Sequence, residues 1–167
     1  MRNGEAFQIS EIHARAVVCL KPWSLNQLSP SLVPPGLGGE VRVLSFGPQE
    51  SFMVSERIAG PKLREQLERH VEGIAAVDLS CAIKVLRVEG LAVSEVLAKG
   101  CGLDLDPRRF PAGRCTRTRL AQLAVVIDCI EPSSCFDLYV GRSHMTYLHT
   151  WLVDAATGLP MPAGTRS

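Results

Sequence analysis

Short, largely apolar segments that read as strands recur along this chain, and apolar residues fall at a helical period in three places. Phe7 and Ile9, followed by Val17, Val18 and Cys19, make residues 7–20 read as extended. Residues 21–40 carry Pro22, Pro30, Pro34, Pro35, Gly36, Gly38 and Gly39, which predicts a long loop of the kind that serves a site or an interface. Val41 to Phe46 and Ser51 to Glu56 read as two strands joined by a turn at Gly47-Pro48-Gln49-Glu50. The clearest helix is Pro61 to Val71. Proline suits its first turn, Leu63, Leu67 and Val71 form its apolar stripe, Glu65 and Arg69 pair one turn apart, and Gly73 ends it.

Beyond that helix, 74–79 and 83–88 read as strands and 91–99 as a short helix closed by Gly100. Strands follow at 114–121, 123–130 and 136–140, with a turn at Glu131-Pro132-Ser133-Ser134. A last helix, capped by Ser143, runs to Ala156 with Met145, Leu148, Leu152 and Ala155 on one face. Strands adjacent in sequence favour antiparallel pairing, so the expected class is α+β, antiparallel sheets with packed helices. The expected organisation is one domain over 1–157, with 41–75 and 76–157 as possible halves of a duplicated strand–helix arrangement. A loose tail is expected at 158–167.

Composition narrows the function. A chain of 167 residues buries roughly 68–70% of its unfolded surface without a disulfide or metal staple. Eighteen basic against seventeen acidic residues leave a net charge of +1, which argues against nucleic acid or an anionic membrane as the partner. The 46% hydrophobic and 21% charged residues fit either a surface that meets another subunit or a small dense core. The longest apolar run, Leu120 to Ile127, is about half a membrane span and contains Gln122. The first residues offer no apolar leader, so the expected location is the cytoplasm, where the six cysteines would be free thiols.

Candidate chemistry is sparse. His144 and His149 lie five apart, about 140° around a helix, and cannot hold one ion from one face. No C-x-x-C spacing points to zinc. Cys115, beside Arg114, Arg117 and Arg119, is the one thiol with an electropositive setting, though a buried strand cysteine is the plainer reading. Gly36-Leu37-Gly38-Gly39 lacks the Lys-Ser/Thr that a phosphate loop needs, and Asp104 and Asp106 suit turn formation. What stands out is a basic cluster, Arg108, Arg109, Arg114, Arg117 and Arg119, with one aromatic, Phe110. Single-stranded nucleic acid would want more stacking platforms, so the cluster reads as a protein or anion contact, or as a solvated strand face. No residue is expected to be catalytic, cofactor-binding or metal-binding.

The run Leu97-Ala98-Lys99-Gly100-Cys101, continuing through Leu103-Asp104-Leu105, Pro107-Arg108 and Phe110-Pro111-Ala112-Gly113, resembles the gamma subunit family of heterotetrameric sarcosine oxidase. Further matches keep their order: Asp78-Leu79-Ser80, Phe136-Asp137-Leu138-Tyr139-Val140 with Arg142-Ser143, Trp151-Leu152, and Asp154-Ala155-Ala156. The turn at Gly47-Pro48-Gln49-Glu50 is similar to the family's Gly-Pro-Asp-Glu. The resemblance is good over 76–157 and looser over 41–75. Gln49, Ser51, Cys81 and Leu91 depart from the family's usual Asp, Trp, His and Pro.

The resemblance implies a duplicated α+β fold like the folate-binding domain of aminomethyltransferase. It implies a small non-catalytic subunit in a flavoprotein complex that demethylates sarcosine, with alpha, beta and delta subunits as partners. FAD, FMN, NAD and tetrahydrofolate would then lie on those partners. A sister complex acting on N-methylglutamate has a similar small subunit. Two other classes stay open from the residues. One is a stand-alone folate or one-carbon binder using Asp78 or Asp128 with the arginine cluster; the other is a hydrolase built on Cys115.

Overall fold

The structure is a computed structural model that describes residues 6–13, 15–22, 33–34, 36–47 and 50–157. Most of the expected long loop, the tip of the turn at 48–49 and the expected tail at 158–167 lie outside the described residues. The chain forms two compact units, one made of Ile12–Lys84 and the other of the residues up to Glu11 together with Val85 onward.

The first unit holds β2 (Ala16–Pro22), β3 (Arg42–Gly47), β4 (Glu50–Ser55) and β5 (Ile74–Asp78), with α1 (Gly60–His70) between β4 and β5. Its four-stranded sheet runs in the order β3-β4-β2-β5, and β2 pairs antiparallel with both β4 and β5. β2 is central in this sheet, and its apolar run from Ala16 to Leu20 is buried throughout. Leu63 and Leu67 of α1 pack with Ala16, Val18, Leu20, Met53 and Ile74 into one core. Proline sits in the first turn of α1 as expected, and the helix gives way to Gly73 at φ +76°. At the helix start a Cβ on Gly60 would lie 2.4 Å from the Asp78 carboxylate and 2.3 Å from the Ser80 hydroxyl. Glycine is what lets the chain pass there.

The second unit holds β1 (Gln8–Ile12), β6 (Ile83–Glu89), β7 (Cys115–Leu120), β8 (Leu123–Glu131) and β9 (Cys135–Gly141), with α2 (Val93–Ala98) and α3 (Met145–Ala156). Its five-stranded sheet runs β1-β6-β9-β8-β7, and β7, β8 and β9 form an antiparallel meander. Leu86, Val88, Val125, Ile127, Phe136, Leu138 and Val140 point to one face, where Val96, Leu97, Leu148 and Leu152 of the helices complete the core. The fold class is therefore α+β as expected, with a strand–helix arrangement in each unit.

Two local expectations need correction. Residues 7–20 are not one extended run: β1 joins the five-stranded sheet and β2 the four-stranded one. Nor does Ser143 cap the last helix. It lies within a 3-10 turn at Arg142–His144, and α3 starts at Met145 with no side-chain cap.

Candidate functional site

The basic cluster is organised by two aspartates. Asp104 Oδ1 accepts the N–H of Asp106 at 3.0 Å, and Asp106 Oδ1 accepts the N–H of Arg108 at 2.9 Å. The Asp106 carbonyl then takes the N–H groups of Arg109 and Phe110, both at 2.8 Å. These turns wind 104–110 so that Leu105 and Phe110 face inward and the two arginines outward. The Arg108 fork meets Asp106 through Nε and Nη2, both at 3.0 Å, and Arg109 Nε lies 3.2 Å from Asp104 Oδ2. The hydrogen bond from Arg108 pulls the Asp106 carboxyl down to about 2, and Asp106 in turn raises the Arg108 guanidinium.

The structure withdraws Phe110 from the expected contact surface. It is 2% exposed and stacks on Phe136 with ring centroids 6.3 Å apart. Its apolar ring serves the core while its arginine neighbours stay in water. Gly113, at φ +80°, donates to the Cys129 carbonyl at 2.8 Å and turns the chain into β7. Arg114 precedes that strand, and Arg117 and Arg119 alternate along its exposed face. β7 is an edge of the sheet, where charged side chains also discourage pairing with a stray strand. Arg119 Nη2 reaches the carbonyl and the side-chain oxygen of Gln122, at 3.3 and 3.2 Å. It thereby holds a two-residue turn, Ala121-Gln122, in which both residues have positive φ.

Sequence reasoning missed a charged pair inside the five-stranded sheet. Arg87 on β6 donates to both oxygens of Asp137 on β9, at 2.7 and 3.0 Å, and Asp137 is fully buried. Asp128, also fully buried, stands directly opposite Asp137 in the β8–β9 register. The available signal was the period: Asp137 alternates with the core residues Phe136 and Leu138, and Arg87 with Leu86 and Val88.

The rival chemistries find poor support in this geometry. Asp128 has no exposed surface to offer a pterin ring, and Asp78 is held by the Ser80 hydroxyl and N–H at 2.6 and 3.0 Å. Cys115 stands opposite Asp128 across the β7–β8 pair rather than opposite a histidine. Burial pushes the Cys129 and Cys135 thiols up to about 11 and about 12, away from the reactive thiolate. Among the described residues no three His, Cys, Asp or Glu side chains gather as a metal site, and no helix is long and apolar enough to cross a membrane.

Comparison with solved structures defines the fold class first. The chain superposes on aminomethyltransferase T of the glycine cleavage system from Bartonella henselae with a TM-score of 0.59 at 13% identity, covering 90% of this chain and 46% of that one. At that identity the likeness concerns the fold, which is the aminomethyltransferase type. A nearer likeness is to a chain of the heterotetrameric sarcosine oxidase from Corynebacterium sp. U-96, solved in complex with pyrrole 2-carboxylate. There the TM-score is 0.74 at 27% identity, over 92% of this chain and 85% of that one.

Residues 38–158 match the model of the sarcosine oxidase, gamma subunit family, and the chain belongs to that family. Among curated relatives, sarcosine oxidase subunit gamma of Corynebacterium sp. (strain U-96) is 33% identical over 115 residues, 68% of this chain and 55% of the relative. Its counterpart from Arthrobacter sp. is 34% identical over 124 residues, 72% of this chain and 59% of the relative. The chain thus spans a little over half the length of these curated relatives.

Proposed function

We propose that this chain is the small gamma-type subunit of a heterotetrameric, sarcosine oxidase-type amine oxidoreductase, and that it supports assembly without supplying reacting groups. The observation that carries the reading is the match to a chain of the heterotetrameric enzyme over 92% of this chain. In this reading alpha, beta and delta subunits are the partners. FAD, FMN, NAD and tetrahydrofolate sit on those partners, and the complex works in the cytoplasm, taking the methyl group from sarcosine.

The outward arginines supply the contact. Arg108 and Arg109 are already fixed by Asp106 and Asp104, so little side-chain freedom is lost when they meet a partner. Arg114, Arg117 and Arg119 extend the same basic surface along an edge strand.

The test is co-purification of the tagged chain from its native cell, read by mass spectrometry and a visible spectrum. The reading expects larger subunits with bound flavin, and oxidase activity with sarcosine exceeding that with N-methylglutamate. A colourless chain that arrives alone would overturn it. Arg114→Glu with Arg117→Glu should cut partner recovery about tenfold or more while the circular dichroism spectrum is unchanged. Undiminished recovery would remove the arginines from the interface.

A further inference from the structure

We propose that the outer edge of β5 pairs with β5 of a second copy of this chain, antiparallel and about a two-fold axis through Ala76. β5 bonds to β2 on one side and borders no strand on the other among the described residues. The other sheet edges carry the usual guards against stray pairing. β7 bears Arg117 and Arg119, β1 bears Glu11, and β3 opens on Arg42 and breaks register between Ser45 and Gly47. β5 reads Ile-Ala-Ala-Val-Asp, with no charge before its last residue, no proline and an unbroken register against β2. Its Val77 is 48% exposed, one of the few large apolar side chains left in water.

The phase of the ladder decides how the edge is filled. The Leu79 N–H donates to the Val17 carbonyl at 2.8 Å, so the Leu79 backbone faces β2. Backbone groups alternate sides along an antiparallel strand, so Ile74, Ala76 and Asp78 present their N–H and C=O outward. A two-fold axis at Ala76 sets Ala76 against Ala76 of the second copy and Ile74 against its Asp78. Every outward N–H then meets an outward C=O. Val77 lies against Ala75 of the second copy, apolar on apolar, on the face of the sheet away from Ile74 and Ala76. No like charges stand opposite one another. Asp78 meets Ile74, and its carboxylate is turned onto the Ser80 N–H and hydroxyl of its own copy, at 3.0 and 2.6 Å. The strand is thus complementary to itself in hydrogen bonds, side chains and charge, as an isologous contact requires. The pairing joins the two four-stranded sheets into one, with both α1 helices on the same face. A five-residue strand on each side buries less than a standard interface, so the dissociation constant is on the order of 10–100 μM.

The experiment is sedimentation of the purified full-length chain from about 5 to about 500 μM, with cysteine cross-linking beside it. The wild type should pass from monomer to dimer across that range. Val77→Lys sets two ammonium groups diagonally across the seam and should raise the dissociation constant about tenfold or more, with the melting temperature little moved because Val77 is half exposed. Cross-linking is read in a Cys81→Ser background, since Cys81 is exposed. Ala76→Cys should link to itself under mild oxidation, because Cα atoms of a hydrogen-bonded pair lie about 5.5 Å apart, within disulfide reach. Ala75→Cys should not, although Ala75 is the more exposed, because it meets its own copy only diagonally, at about 7–8 Å.

A chain that stays monomeric to about 500 μM, a dimer undiminished in folded Val77→Lys, or Ala75→Cys linking as readily as Ala76→Cys would each overturn the proposal. If Val77→Lys does not fold, the two cysteine variants, which add no charge, decide alone. Self-pairing is read on the isolated chain, so it can fail while the subunit reading stands. A monomeric wild type whose Val77→Lys variant loses its co-purifying subunits would assign the edge to another subunit and overturn self-pairing.

Discussion

Gly100→Ala should destabilise the chain, although on its backbone alone the change would stabilise it. Gly100 closes the short helix α2, and its φ does not lie in the left-handed region. Alanine would there reduce the entropy of the unfolded chain and add about 0.4–1 kcal/mol. The folded structure has no room for the methyl group. An ideal Cβ would lie 2.4 and 2.5 Å from Cζ2 and Cη2 of Trp151 and 3.2 Å from the backbone nitrogen of Ala121. Carbon atoms settle at about 3.5–4.0 Å, so the indole or the loop must retreat by about 1 Å.

Neither yields easily. Trp151 sits on α3 packed against the core, and Ala121 holds φ 51° in the β7–β8 turn while donating to the Gly100 carbonyl at 3.2 Å. Overpacking of this kind costs about 1–3 kcal/mol, and the net loss should be about 1–2 kcal/mol. That corresponds to roughly 2–8 °C in melting temperature for a chain of this size. Urea denaturation followed by circular dichroism and tryptophan fluorescence would measure it. In a Trp151→Phe background the clashing second ring is gone, and the Gly100→Ala penalty should shrink by about 1 kcal/mol. A Gly100→Ala chain within about 0.5 kcal/mol of wild type, or a penalty undiminished in the Trp151→Phe background, would refute the reasoning.

Two further outcomes follow from the charged pairs. Arg87→Met removes both charge-assisted hydrogen bonds from the fully buried Asp137 and should cost about 2–4 kcal/mol, since one side of the pair keeps a quarter of its surface in water. Asp137→Asn should cost less, because its amide oxygen still accepts from Arg87; equal melts would count against the pairing. Asp106 makes a pH prediction. Its folded value near 2 lies below the ordinary 3.8, so its contribution to stability is present above about pH 4 and is lost as the pH falls toward 2. Carboxyl NMR should place its midpoint near 2 and, in Arg108→Ala, move it up toward the ordinary value.

The elements were legible where period and punctuation agreed. Pro61 and Gly73 bracket α1, and each meander strand lies within two residues of its expected bounds. The break between β1 and β2 was not legible, because both are extended and only the sheet each joins tells them apart. Of the candidate site, the five arginines are exposed as a basic surface should be. Phe110 misled because an aromatic beside arginines has the composition of an interface, and only the Asp104–Asp106 turns decide which way it points. The Arg87–Asp137 pair was hidden because its partners lie fifty residues apart. Gly100 and Trp151, each read as a family motif, prove to be one steric fit.

The strand order also sets a timetable. β1, at residues 8–12, lies beside β6, at 83–89, so the five-stranded sheet takes one of its two edge strands from residues 8–12 and all the others from residues 83–141. During synthesis from the N-terminus, the continuous segment 12–84 emerges whole and can collapse around α1 while β1 still waits for its neighbour. Everything between is a loop whose closure entropy must be overcome before that edge forms. The edge should therefore close late in folding, and a deletion at the N-terminus should be felt first in the unit built from the other end of the chain.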